Sequence, residues 1–108
     1  MGTIKQNRGT PFKQTATHAT SAVATQTGVA NTTIYITDIS GSSDKAGALL
    51  LVKDGTTVIW QDIIGSTVAY HYGFIEPLAI TTGASASITV DGTSLCKSNI
   101  AGFIINNS

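Results

Sequence analysis

The chain has 108 residues, six Lys or Arg against six Asp or Glu, and a single cysteine. That length holds one domain at most, and one cysteine excludes a disulfide within the chain. A balanced, sparse charge argues against a nucleic-acid-binding tail, and no run approaches the ~20 apolar residues that span a bilayer.

From Met1 to about Thr33 there is no acidic residue, whereas three of the six basic residues, Lys5, Arg8 and Lys13, lie there. Residues 1–17 show no apolar period, and Ile4 and Phe12 are their large side chains of note. The expectation is an extended N-terminal arm with no core of its own. Ordering backbone costs about 1–2 kcal/mol per residue, so such an arm orders only against a partner, with Ile4 and Phe12 as anchors. Its charge favours contact with an acidic neighbouring surface.

Residues 18–108 read as the body. His18 to Thr27, rich in Thr and Ala, suits a weak edge strand, and Gly28 to Asn31 suits a turn. Thr32 to Ser40 places Ile34 and Ile36 against Thr33, Tyr35 and Thr37, the period of a half-buried strand. Gly41 to Lys45 reads as a loop. Ala48 to Lys53 and Thr57 to Ile63 flank Asp54-Gly55, a two-residue hairpin signal. Gly65 to Thr67 breaks the chain again.

Val68 to Ile80 is aromatic-rich, and its Pro77 demands an edge, bend or bulge. Ser85 to Asp91 alternates, with Ile88 and Val90 inward and Ser87 and Thr89 outward. A last strand covers about Asn99 to Ile105. Strands spaced roughly ten residues apart, with no helical period, predict an all-β fold: a small antiparallel β-sandwich, jelly-roll-like, with an extended N-terminal arm. A body of this size buries little surface. Lacking disulfides and a metal-ligand set, it is expected to gain stability by oligomerising.

No arrangement of residues predicts catalysis. Cys96 has no basic cluster to lower its pKa and reads as a packing residue. His18 and His71 are too far apart in sequence for a recognisable metal spacing. Asp62 and Glu76 suit outward positions at strand ends better than a glycosidase pair, and Asp44 and Lys45 read as a solvated loop pair. The glycines form no phosphate loop or dinucleotide motif. The expectation is a protein without catalytic residues, metal or cofactor. Trp60 and Phe74 read as core, while Tyr70 and Tyr72 share a face with Phe74 and suit a subunit interface or a sugar platform.

The segments GALLLVKDGTTVIW, GFIEPLAITTGASASITVDG and AGFII resemble small head decoration (cement) and related auxiliary virion proteins of tailed bacteriophages, over roughly His18 to Ile105. The resemblance implies a structural protein on the capsid exterior, made in the host cytoplasm and often trimeric. It would bind the major capsid protein and clamp adjacent capsid subunits, without nucleic acid or membrane. Ile4, Lys5, Arg8, Phe12 and Lys13 would then contact the capsid, and Tyr70, Tyr72 and Phe74 would form the subunit interface. Deleting residues 1–17 is then expected to abolish attachment and leave the body folded. The alternatives are a receptor- or glycan-binding module of a phage tail or fibre, and a head–tail connector component. No signal peptide is visible at the N-terminus, and Gln6 stands where a myristoylation signal wants Ser or Thr.

Overall fold

A computed structural model describes residues 9–65 and 69–107. Eight strands and no helix run through them: β1 (Thr10–His18), β2 (Ser21–Gln26), β3 (Thr32–Ser43), β4 (Ala48–Asp54), β5 (Thr57–Ile64), β6 (Tyr70–Ala79), β7 (Ala86–Asp91) and β8 (Cys96–Asn106). They form two antiparallel four-stranded sheets. Sheet I has the order β1-β8-β3-β6, and sheet II the order β2-β7-β4-β5. Only β4 and β5 pair with a neighbour in sequence; the other pairings join strands distant in the chain. This is an eight-stranded jelly-roll sandwich.

The alternation in each strand builds the core. Ile34, Ile36 and Ile39 of β3 and Ile100 of β8 meet Leu50 and Val52 of β4 and Ile88 and Val90 of β7, all buried. Each such side chain stabilises the fold by roughly 1.5–3 kcal/mol relative to exposure. Ile88 and Val90 face inward and Ser87 and Thr89 do not, as the pattern requires. Cys96 is buried as a packing residue, its Sγ 3.3 Å from the His18 carbonyl. Buried Ser98 donates to the Ala22 carbonyl at 3.1 Å, linking the sheets through a satisfied polar contact.

The β4–β5 hairpin forms where the sequence signal lies, displaced by one residue. Asp54 pairs with Thr57, which leaves Gly55 and Thr56 as the central pair. Gly55 has φ 62°, as a II′ turn requires at its first central position. Asp54 instead accepts hydrogen bonds from the Thr81 N–H and hydroxyl at 3.0 and 2.8 Å, tying the hairpin to the β6–β7 connection.

Residues 10–17 are not a free arm. All nine residues of β1 pair with β8, from Thr10 opposite Ile104 to His18 opposite Cys96. Phe12 and Ala16 pack against the core of their own chain, and Gln14 donates across to Gln26 of β2 at 2.9 Å. The ordering cost is met within the chain, by ladder hydrogen bonds and burial. Deleting residues 1–17 would therefore strip β8 of one of its two partners rather than leave an intact body. Ile4, Lys5 and Arg8 lie outside the described residues.

Three further expectations change at the strand ends. Gly41, Ser42 and Ser43 continue β3 instead of forming a loop, because they pair with β8. β8 begins at Cys96, with polar Lys97 and Asn99 alternating with buried positions. Asp44 and Lys45 are not simply solvated. The Asp44 carboxylate accepts from Thr93 N–H at 2.9 Å and from the N–H and hydroxyl of Ser94, while Lys45 meets Asp91 at 3.0 Å.

Pro77 does mark an irregular edge. Residues 74–77 of β6 stand between Gly73 and Leu78, where β3 has only Thr37 between their partners. Thr37 is itself the extra residue of a bulge against β8, where Ile36 pairs with Gly102 and Asp38 with Ala101. A Cβ on Gly102 would lie 1.9 Å from the Tyr35 carbonyl oxygen, so only glycine fits. The bulge keeps Ile36 and Ile39 inward while turning Tyr35 and Asp38 outward.

Candidate functional site

β5 and β6 are the edge strands of the two sheets on one flank of the sandwich. Between them lies a cluster of four aromatic rings. Tyr70 pairs with Gly41 and Tyr72 with Ile39, both buried inward positions of β3, so the β6 tyrosines turn toward the sandwich interior. Trp60, opposite buried Val52, meets them from β5. Its ring centroid lies 5.1 Å from Tyr72, 5.6 Å from Phe74 in an edge-to-face arrangement, and 6.3 Å from Tyr70. Tyr72 and Phe74 are themselves 4.9 Å apart. Such pairs contribute about 0.5–1.5 kcal/mol beyond area burial.

Asp62 belongs to this flank as well. It sits opposite buried Leu50, on the inward side of β5, rather than at an outward strand end. The Tyr70 hydroxyl donates to its Oδ2 at 2.8 Å. Burial, and then this hydrogen bond to an anion, push the Tyr70 hydroxyl up to about 12, because both disfavour the phenolate. Tyr70, Phe74 and Trp60 are thus half-buried parts of the sandwich closure. Tyr72 is the member that stays exposed, at 43%.

Around this flank the surface is apolar. Leu49 and Ile63 face each other across β4 and β5 on the outer side of sheet II, and Val58 stands opposite Lys53 near the hairpin. Ile63 is 66% exposed and Ile75, on the bulged part of β6, is fully exposed. Among the described residues these side chains are left largely uncovered. Asp91 borders the strip, binding the Leu49 N–H at 2.6 Å and Lys45. Burial opposes ionisation of Asp91, but the Lys45 and Leu49 contacts outweigh it and hold its carboxyl below the usual range.

The remaining residues singled out in the sequence fall elsewhere. Lys13 stands exposed on the outer face of sheet I, opposite Ala101, and Phe12 is turned inward beside it. His71 is exposed on the same face, its Nε2 3.5 Å from Asp38 Oδ1. His18 accepts from the Thr20 and Ser21 N–H groups at 3.1 Å each and so shapes the β1–β2 turn. Glu76 lies on the irregular part of β6, remote in the register from Asp62. Among the described residues, no group of three or more His, Cys, Asp or Glu is placed to hold a metal ion. The sequence missed Leu49, Val58 and Ile63 as surface, since an apolar run does not say which residues have a sheet packed over them.

The strand arrangement recurs in solved structures. The β-(1,4)-mannanase GH26-CBM35 of Podospora anserina is 11% identical over 89% of this chain and 28% of that one, with a TM-score of 0.52. The C-terminal family 22 carbohydrate-binding module of Clostridium thermocellum Xyn10B is 15% identical over 80% of this chain and 65% of that one, at a TM-score of 0.48. A CBM36 module in complex with calcium and xylotriose is 20% identical over 80% and 74%, at 0.45. At such identities the likeness is one of fold. No protein-family model matches the chain, and no curated protein matches it in sequence.

Proposed function

We propose that the chain is a structural virion protein that docks on the outside of a phage capsid and holds neighbouring capsid subunits together. The observation that carries this reading is the exposed apolar strip of Leu49, Val58 and Ile63, continued around the flank by Tyr72 and Ile75. Exposed large apolar side chains beside edge strands favour burial against another protein. The sequence resemblance to head decoration proteins supplies the kind of partner, the major capsid protein. Self-association, as a homotrimer, would use the Tyr72 side of the flank, where Trp60 and Phe74 pack against the ring. Many weak contacts on a repeating shell add through effective concentration.

Cosedimentation of the purified protein with capsids tests the reading. Ile63→Glu is expected to abolish pelleting while leaving the unfolding transition in place, since Ile63 lies outside the core. Sedimentation velocity of the protein alone reads the oligomer. Full occupancy by the Ile63→Glu variant would remove this face from the proposal. Failure of the unmodified protein to bind any capsid would favour the tail- or fibre-module alternative.

A further inference from the structure

Two rows of outward residues cross all four strands in the middle of sheet I. Lys13, Ala101, Asp38 and Gly73 form one, and Thr15, Asn99, Ser40 and His71 the next. Ala101 is too small to fill its position, and a groove of about 260 Å³ opens among Lys13, Asp38, Ser40, His71 and Asn99. In the adjoining row Tyr35 and Phe103 stack, with centroids 5.1 Å apart and planes within 17°. Their ring faces are turned to each other, one row beyond the residues that line the groove.

The polar lining is mixed in sign and held in place. Asn99 Nδ2 donates to Ser40 Oγ at 3.0 Å, and Thr37 Oγ1 donates to Asp38 Oδ2 at 3.1 Å. His71 approaches the other Asp38 oxygen. An ammonium that only donates, a carboxylate that only accepts, and an amide and hydroxyl that do both thus face one small depression.

We propose that this groove binds a neutral saccharide. Vicinal sugar hydroxyls donate and accept at once, which fixed Asp38 and Asn99 can answer, while the C–H face of a pyranose packs against the Ala101 methyl and the exposed His71 ring in the lining. Asp38 in the middle of the groove works against phosphate or a polyanion, and Lys13 works against a divalent cation. This face lies on the opposite side of the sandwich from Leu49 and Ile63. It therefore stays open when the apolar strip is covered, and the two bindings are independent.

The test is titration of the full chain with mannohexaose, xylohexaose and cellohexaose, followed by amide chemical shifts and calorimetry. Binding is expected to at least one, with Kd between about 10 μM and 1 mM, and with shifts centred on β1, β3, β6 and β8. Asn99→Ala should weaken it about tenfold, a loss of roughly 1.4 kcal/mol. Ala101→Leu, which fills the depression from the outside, should abolish it. Val23→Ser, on the outer face of sheet II, should leave it unchanged. If Ala101→Leu fails to fold, Asn99→Ala decides. No shift with any of the three sugars at about 10 mM, or binding that persists undiminished in the groove variants, would overturn the assignment.

Discussion

On sheet II the outward positions of β4 and β5 include Leu49, Leu51, Lys53, Val58, Gln61 and Ile63, whereas those of β3 and β8 on sheet I include Tyr35, Asp38, Ser40, Asn99 and Ala101. Both sets sit on the solvent side of the same core. One surface is mostly apolar and includes an edge strand; the other is mostly polar and recessed, with its aromatic residues paired to each other. Inward alternation fixes stability while leaving the outward half of each strand free to specialise. A sandwich can therefore carry two unrelated surfaces on one set of core residues.

Both faces rest on one core. Leu50→Ala opens a cavity at a fully buried site and should cost about 2–5 kcal/mol in denaturant unfolding. A loss well below that would mean the sheets are not packed over Leu50. Next in size is Gly102→Ala, which sets a Cβ against the Tyr35 carbonyl. It should cost more than about 2 kcal/mol and disturb amide shifts on sheet I while sparing β4 and β5. Equal disturbance of both sheets would show that the bulge is not local.

Tyr70→Phe sharpens the view of the flank between the faces. Losing the bond to Asp62 should cost about 0.5–1.5 kcal/mol. In the unsubstituted chain the folded Tyr70 releases its proton only near 12, later than an unfolded tyrosine at about 10. The folded state thus keeps this stabilisation below pH 10 and loses it as the pH climbs toward 12. The variant should lack that alkaline loss in pH-dependent unfolding.

The smallest effect expected is at Asp44. The Ser94 hydroxyl, with the Thr93 and Ser94 N–H groups, holds its carboxyl well below the usual carboxylate range. A lowered folded pKa means stability that is present above about pH 4 and lost on further acidification. Asp44→Asn should flatten the acid side of the stability profile. An unchanged profile would show that the Thr93–Ser94 turn does not depend on this charge.

Much of this layout is legible in the residues themselves. Ile34, Ile36, Ile88 and Val90 announce their inward faces because a strand's side chains alternate whatever its partner is. Gly55 beside Asp54 announces a reversal because few other residues tolerate its φ. Pro77 announces an edge because it lacks a donor. β1 is not legible in this way. Phe12 and Ala16 make a thin stripe among Lys13, Gln14, Thr15 and Thr17, and the strand exists because β8 supplies its hydrogen-bond partners.

By itself, then, the sequence determined the strand-by-strand alternation, the hairpin and the absence of any helical period, since each depends on neighbours a few residues away. Only the tertiary structure decided that Thr10–His18 closes sheet I, that Trp60 and the β6 aromatics fill one flank, and that Lys13, Asp38, His71 and Asn99 share a groove. Those outcomes depend on which strands lie side by side, and in a jelly roll nearly every such neighbour is far away along the chain.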